Sequence, residues 1–120
     1  MTMLGNGVRC TTTSTGTGNL TLSSVSGYPQ FSDVFAVGAY VYYAILNDGD
    51  GTPIEWGIGH LSASTTFVRD FVLATYSSSV YSDAGSAGSP PSAVSLAAGT
   101  KRVICTMDQS AAIAGPLDIP

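Results

Sequence analysis

Charged residues are scarce in this sequence. Of its 120 residues 10% are charged, and 4 Lys and Arg stand against 8 Asp and Glu. Four cations cannot form the basic stripe that a phosphate backbone requires, so the composition excludes a nucleic-acid-binding protein. Hydrophobic residues make up 44% of the chain, which is enough to drive collapse and argues against a disordered tail. The length predicts one domain.

Long hydrophobic runs, cysteine and histidine are also scarce. The longest apolar stretch, residues 34–46, is interrupted by Gly38 and falls short of the ~20 residues of a membrane span. Residues 1–7 lack the basic and apolar regions of a secretory signal, so we expect a protein made in a cytoplasm. With 2 Cys and 1 His, the spacing of a structural zinc site is missing, and we expect no cofactor.

Gly, Ser, Thr, β-branched residues and Tyr are abundant, as in sheet proteins with many turns. About seven short strands, separated by turn signals, predict a single-domain all-β fold, a β-sandwich of jelly-roll-like form or a small barrel. We place this domain at residues 8–106, after an arm (1–7) and before an extended tail (107–120). Apolar residues at i, i+3 and i+4 predict one short helix near residues 31–36.

Two central strands carry the clearest patterns. Residues 38–47, GAYVYYAILN, are apolar on both faces, which predicts a strand inside the sheet. In the next strand, 54–61, alternate residues share one face with Trp56 and His60. Gly57 and Gly59 lie on the other face and leave room for a bulky side chain, for which we expect a Tyr of the preceding strand.

The second half of the chain predicts further strands and one long loop. Residues 65–75 form a strand, bent midway, in which Arg69 and Asp70 look like a charged step at an edge or interface. Residues 76–92 are rich in Ser, Gly and Pro and predict a loop that contacts partners. Strands at 93–97 and 101–106 complete the domain.

Three arrangements bear on chemistry, and each has a structural alternative. Asp48 and Asp50 lie in a turn that can hold a weak calcium site or serve as a plain hairpin turn. His60 can be the histidine of a Ser-His-Asp hydrolase, but the sequence has no Gly-x-Ser-x-Gly motif to supply the nucleophile. Glu55 and Asp70 can form a glycosidase pair if their strands neighbour each other in register. We expect none of these activities and predict a protein that is not an enzyme.

Cys10 and Cys105 lie in the first and last predicted strands. If these strands pair, the two residues can form a disulfide, worth ~4 kcal/mol in the chain-entropy model. The alternative, which we favour, is two buried thiols, because assembly in a cytoplasm keeps thiols reduced.

The aromatic residues allow a sugar-binding platform as an alternative to core packing. The residues concerned are Tyr40, Tyr42, Tyr43, Tyr76, Tyr81 and Trp56.

Six short motifs follow one another from about residue 8 to residue 106. They are RCTTTSTGTGNLTL (9–22), GYPQF (27–31), YYAI (42–45), EWGIG (55–59), RDFVLA (69–74) and LAAGTKRVI (96–104). Their types and order resemble a β-rich module of tailed-bacteriophage virion proteins, found in small stand-alone proteins and at the start of tail fibres. Cys10, Cys105 and the longer loop at 76–92 depart from the usual form of that module.

The resemblance implies a structural component of a phage particle, with the virion as its location. Because no repetitive shaft is present, we expect a capsid decoration protein on the particle exterior. The alternatives are a tail- or head-fibre attachment module and a receptor-binding domain for a host glycan. The expected partners are further copies of the chain, with a trimer favoured, and virion proteins such as the major capsid protein, but neither nucleic acid nor membrane. Expected interface residues are Tyr76, Tyr81, Pro90, Pro91, Ile113, Leu117 and Ile119.

Overall fold

The computed structural model describes residues 7–83 and 91–105. The strands are β1 (Arg9–Thr12), β2 (Leu20–Thr21), β3 (Ser23–Ser24), β4 (Tyr40–Asn47), β5 (Pro53–Ala63), β6 (Thr66–Ser77), β7 (Val80–Asp83) and β8 (Lys101–Ile104), and the helix is α1 (Phe31–Val34). The all-β prediction and the short helix are therefore confirmed. The predicted tail and, apart from Gly7, the predicted arm lie outside the described residues, as do Pro90, Ile113, Leu117 and Ile119.

One antiparallel sheet contains all eight strands, in the order β2–β6–β5–β4–β8–β1–β3, with β7 paired to β6. The two ends of this order, β2 and β3, are separated in sequence by Leu22 alone. Because β2 pairs with β6 and β3 pairs with β1, this short segment connects the two ends of the sheet, and the sheet nearly closes on itself. Of the two predicted forms, the small barrel describes this arrangement, because the curved sheet supplies both sides of the core.

The core fills the inside of this barrel. In β4, Val41, Tyr43 and Ile45 alternate inward, as a strand's two-residue period requires. Helix α1 places Phe31 with its ring centre 5.2 Å from that of Phe67 of β6. The prediction that residues 38–47 form an internal strand is confirmed, since β4 pairs with β5 on one side and with β8 on the other.

Gly57 and Gly59 of β5 leave the space that two aromatic rings occupy. A Cβ on Gly57 would lie 2.9 Å from Cε1 of Tyr43, in the preceding strand, which confirms the prediction. A Cβ on Gly59 would lie 2.5 Å from Cε2 of Phe67, in the following strand, which the sequence pattern did not predict. The two rings pack edge to face, with centres 5.2 Å apart.

Two predictions about the second half of the chain are wrong. Residues 76–83 are not loop, because β6 continues to Ser77 and turns into β7 through Ser78 and Ser79. Both serines have positive φ (52° and 63°), a conformation that usually selects Asn or Gly, so the turn carries no sequence signal. Residues 93–97 form no strand either, and a single bridge joins Leu96 to Gly16.

Candidate functional site

A buried ion pair lies inside the barrel, between Glu55 of β5 and Arg69 of β6. Nη1 of Arg69 is 3.0 Å from Oε1 of Glu55, and the two side chains are 1% and 0% exposed, respectively. Tyr43 donates a 2.6 Å hydrogen bond to Oε2 of the same carboxylate. Burial and the adjacent negative charge of Glu55 raise the pKa of Tyr43 far above its ordinary value, so its hydroxyl keeps its proton. We call these three residues the buried network.

Arg69 also attaches two irregular segments to the barrel. Its guanidinium donates to the carbonyl oxygens of Gly16 (3.0 Å), Gly18 (3.1 Å from Nη2) and Val94 (3.1 Å). The N–H of Val94 in turn donates to Oε1 of Glu55 at 2.8 Å. These bonds satisfy the pair's polar atoms internally, so the buried network positions loops and presents no reactive group to a ligand.

This placement bears on two interpretations of the sequence. The sequence pattern predicted Arg69 as a charged step at an edge or interface, but its side chain is 1% exposed and points into the barrel, where it pairs with Glu55. Glu55 and Asp70 do not form a glycosidase pair, although β5 and β6 are neighbours. Glu55 lies opposite Thr75 and faces inward, whereas Asp70 contacts His60 on the outward side.

The buried network and the segment that it holds come from several of the motifs that carry the resemblance. Tyr43 lies in YYAI, Glu55 in EWGIG and Arg69 in RDFVLA, and the Gly16 and Gly18 carbonyls that Arg69 binds lie in the first motif. In this chain these motifs therefore contact one another through the buried network. The sequence contains each of these residues but does not show that they contact one another, because up to 53 positions separate the partners.

The outward side of β4, β5 and β6 carries a group of aromatic side chains. We call it the outer face and define it by Tyr40, Tyr42, Trp56, Ile58, His60 and Phe71. Strand register aligns Tyr42, Ile58 and Phe71 in one row across the three strands. Phe71 is 59% exposed and Tyr40 is 47% exposed. Exposed apolar side chains grouped in this way are typical of an interaction surface.

A bulge in β6 produces this exposure. Residue Gly59 pairs with Arg69 and Ile58 pairs with Phe71, so Asp70 is an extra residue between them. A bulge of this kind interrupts alternation, and both Asp70 and Phe71 turn outward. The bend predicted midway along this strand is thereby confirmed.

The hairpin of β6 and β7 extends the outer face. Tyr76 and Tyr81, which the sequence predicts as interface residues, lie opposite each other there and are 36% and 45% exposed. Tyr81 contacts Trp56, with ring centres 6.2 Å apart. Of the six aromatic residues considered for a sugar platform, Tyr43 alone is in the core and the other five are on this side of the sheet.

His60 and Asp70 form the one acid–histidine pair in the described chain, with Nδ1 and Oδ2 2.5 Å apart. The Tyr40 ring packs edge-on against the imidazole at 5.7 Å. A hydrolytic triad also needs a nucleophile bonded to the other ring nitrogen. Within residues 7–83 and 91–105, the hydrogen-bond partner of His60 is Asp70.

The turn after β4 does not gather its carboxylates into a calcium site. Asp48 lies 3.6 Å from Arg9 and 3.3 Å from Arg102, while Asp50 accepts the N–H of Thr52 at 2.9 Å. Among the described residues, no three His, Cys, Asp or Glu side chains are grouped to hold a metal.

Cys10 and Cys105 are both thiols. The first and last strands do pair, but Cys10 lies opposite Val103, which sets Cys105 on the diagonal. Diagonal neighbours are ~7–8 Å apart, beyond the usual span of a disulfide. Burial raises the pKa of Cys10, which is 1% exposed.

No protein-family model, curated protein or solved structure matches this chain. In the part of the chain with described structure, no helix has the length and apolar character needed to cross a bilayer.

Proposed function

We propose that this protein is a non-enzymatic structural component of a tailed-phage virion, a decoration protein that binds as an oligomer to the exterior of the capsid. The observation that carries the proposal is the outer face, an exposed aromatic surface on a small barrel. The order of the sequence motifs resembles that of phage virion modules, and for this reason we propose a phage virion as the particle.

The character of the outer face supports contact with protein. Its central row, Tyr42, Ile58 and Phe71, is uncharged, and the one charged group beside it, Asp70, is paired with His60. Aromatic side chains are enriched, and unpaired charges depleted, at the centres of protein interfaces. We assign this face to contacts between copies of the chain, because a decoration protein multiplies modest interfaces by symmetry.

The buried network supports a role outside the cell without a cofactor. Arg69 fixes the irregular segments at residues 16–18 and 94 through hydrogen bonds to their carbonyl oxygens. A domain whose loops are held by internal polar contacts keeps its surface shape without a metal or disulfide, and a structural protein needs a constant shape.

Imaging of phage particles with and without the gene tests this function. We expect added density on the head of the complete particle and loss of that density, with heads less resistant to heat or osmotic shock, when the gene is deleted. Equally robust heads together with density located on the tail would contradict a decoration role and favour the fibre-module alternative.

A glycan-binding role is the second candidate. The contact of half-buried Trp56 with exposed Tyr81 favours it, because adjacent aromatic rings at a surface can stack on a sugar. A glycan array with the purified protein tests this candidate. Reproducible binding that is lost in Trp56→Ala but kept in Tyr28→Ala would support it, since Tyr28 is an exposed aromatic residue (46%) outside the outer face.

A further inference from the structure

A groove of about 230 Å³ lies between the β6–β7 turn and residues 94–98. The end of β4, the start of β5, the end of β6 with the turn that follows it, and residues 94–98 line the groove, together with Lys101. Ile54, Val94 and Leu96 contribute apolar surface, and serines contribute hydroxyl groups. Pockets for drug-sized ligands measure roughly 300–1,000 Å³, so this groove suits a group about the size of one or two amino-acid residues.

Lys101 brings to this groove a positive charge that no carboxylate of the described residues compensates. The residue is 3% exposed, and among the described residues its ammonium has one hydrogen bond, from Nζ to the carbonyl oxygen of Ala97 at 2.6 Å. An ammonium has three donors, so two are not used by the described residues and can serve a ligand. Burial lowers the pKa of Lys101, as expected where a positive charge lacks a counterion.

The other three cations of the chain differ from Lys101 in this respect. Arg9 and Arg102 lie within 4 Å of Asp48, and Arg69 lies 3.0 Å from Glu55. No carboxylate of the described residues lies within 4 Å of the Lys101 ammonium. A covered charge without a counterion is costly, and a bound anion removes that cost.

We propose that the Lys101 groove binds a carboxylate carried on a short apolar body, either the C-terminal residue of a polypeptide or a free N-acylated amino acid. The carboxylate accepts hydrogen bonds from the Lys101 ammonium, and the apolar body packs against Ile54, Val94 and Leu96. A single cation matches a singly charged group, whereas a phosphate calls for several donors or cations. This site goes beyond the proposed function and does not depend on it.

Titration of the full chain, followed by NMR of backbone amides, tests the site. The probes are N-acetyl-L-leucine, its uncharged amide N-acetyl-L-leucinamide, the peptide acid acetyl-Ala-Ala-Leu and inorganic phosphate. We expect saturable shifts at residues 94–101 with one or both acids, at Kd of roughly 0.1–10 mM, because one ion pair and a small apolar contact supply ~3–5 kcal/mol. The acid that binds more tightly identifies the source of the carboxylate.

Two variants that remove one positive charge each provide the comparison. Lys101→Met is expected to weaken binding of the acids at least tenfold. Arg102→Met makes the same change in net charge outside the groove and is expected to bind as the wild type does. Far-UV circular dichroism verifies that both variants are folded.

Four results would overturn the proposal: no saturable binding of either acid, equal binding of the acid and its amide, phosphate binding as tight as that of the acids, or unchanged binding in a folded Lys101→Met variant. None of these results bears on the location of the protein on a phage particle, so the site and the proposed function fail or stand separately.

Discussion

Arg69 and Glu55 face each other inside the barrel, 3.0 Å apart and almost completely removed from water. A buried ion pair of this kind is weak evidence for high stability, because desolvation opposes the attraction between the charges. The pair instead holds a loop in position. Arg69 donates to carbonyl oxygens at Gly16 and Gly18, so a turn without regular structure is fixed against the sheet.

Removal of Arg69 alone should be strongly destabilising. In Arg69→Met the carboxylate of Glu55 stays buried without its cation, so we expect the free energy of unfolding to fall by about 3–5 kcal/mol. Urea denaturation measures this loss, and Arg102→Met is the matched control. The Arg102 and Asp48 side chains are 26% and 36% exposed, so loss of this pair should lower the free energy of unfolding by less than about 1 kcal/mol. Equal losses in the two variants would show that the buried network does not hold the fold.

Gly57 should not accept even a methyl group. A Cβ at this position would lie 2.3 Å from the carbonyl oxygen of Phe71, a backbone atom that no rotamer change can move away. We expect Gly57→Ala to lower the free energy of unfolding by roughly 2–3 kcal/mol or more, as overpacking does. Gly49→Ala is the control, since no atom lies within 4 Å of its added Cβ. A Gly57→Ala protein as stable as Gly49→Ala would contradict this packing.

Tyr43 should make stability depend on pH in alkaline solution. Its pKa is raised in the folded protein, so its contribution is complete below the unfolded value of about 10 and is lost as pH rises above it. At neutral pH, Tyr43→Phe removes a hydrogen bond to buried Glu55 and should cost about 1–3 kcal/mol. The stability difference between wild type and Tyr43→Phe should then shrink by about 1.4 kcal/mol per pH unit above pH 10.

Urea denaturation at a series of pH values from 8 to 11 measures this difference. Gly49→Ala changes no titratable group, so its difference from the wild type should stay constant over the same range. A difference between wild type and Tyr43→Phe that is equally constant would rule out the raised pKa as a source of stability.

Phe71 should carry association between copies if the outer face is the contact surface. We expect Phe71→Ser to shift an oligomer toward monomer by at least about fivefold in Kd, because a central aromatic side chain contributes more than about 1 kcal/mol. Val37→Ser is the control, since Val37 is equally exposed (59% in both cases) and lies outside the outer face. Analytical ultracentrifugation at several concentrations distinguishes the two. The assignment of contacts to the outer face would be wrong if both variants associated alike.

Much of the local structure could be predicted from local patterns. The alternation in residues 38–47 and 54–61 is enough to place two central strands, because a strand's faces repeat every two residues. The same pattern shows that Gly57 leaves space on the inner face. The β6–β7 turn was missed because its serines adopt a backbone conformation that residue type does not announce.

Composition and periodicity are local properties, and they were enough to predict one all-β domain poor in charge. The positions of its few polar groups, in contrast, depend on how the strands come together. Arg69 and Asp70 are adjacent in sequence, yet one points into the barrel and the other outward to His60. The fold likewise covers Lys101 and places no carboxylate of the described residues beside it. Such pairings depend on strand register and barrel closure, which bring together residues that are distant in sequence.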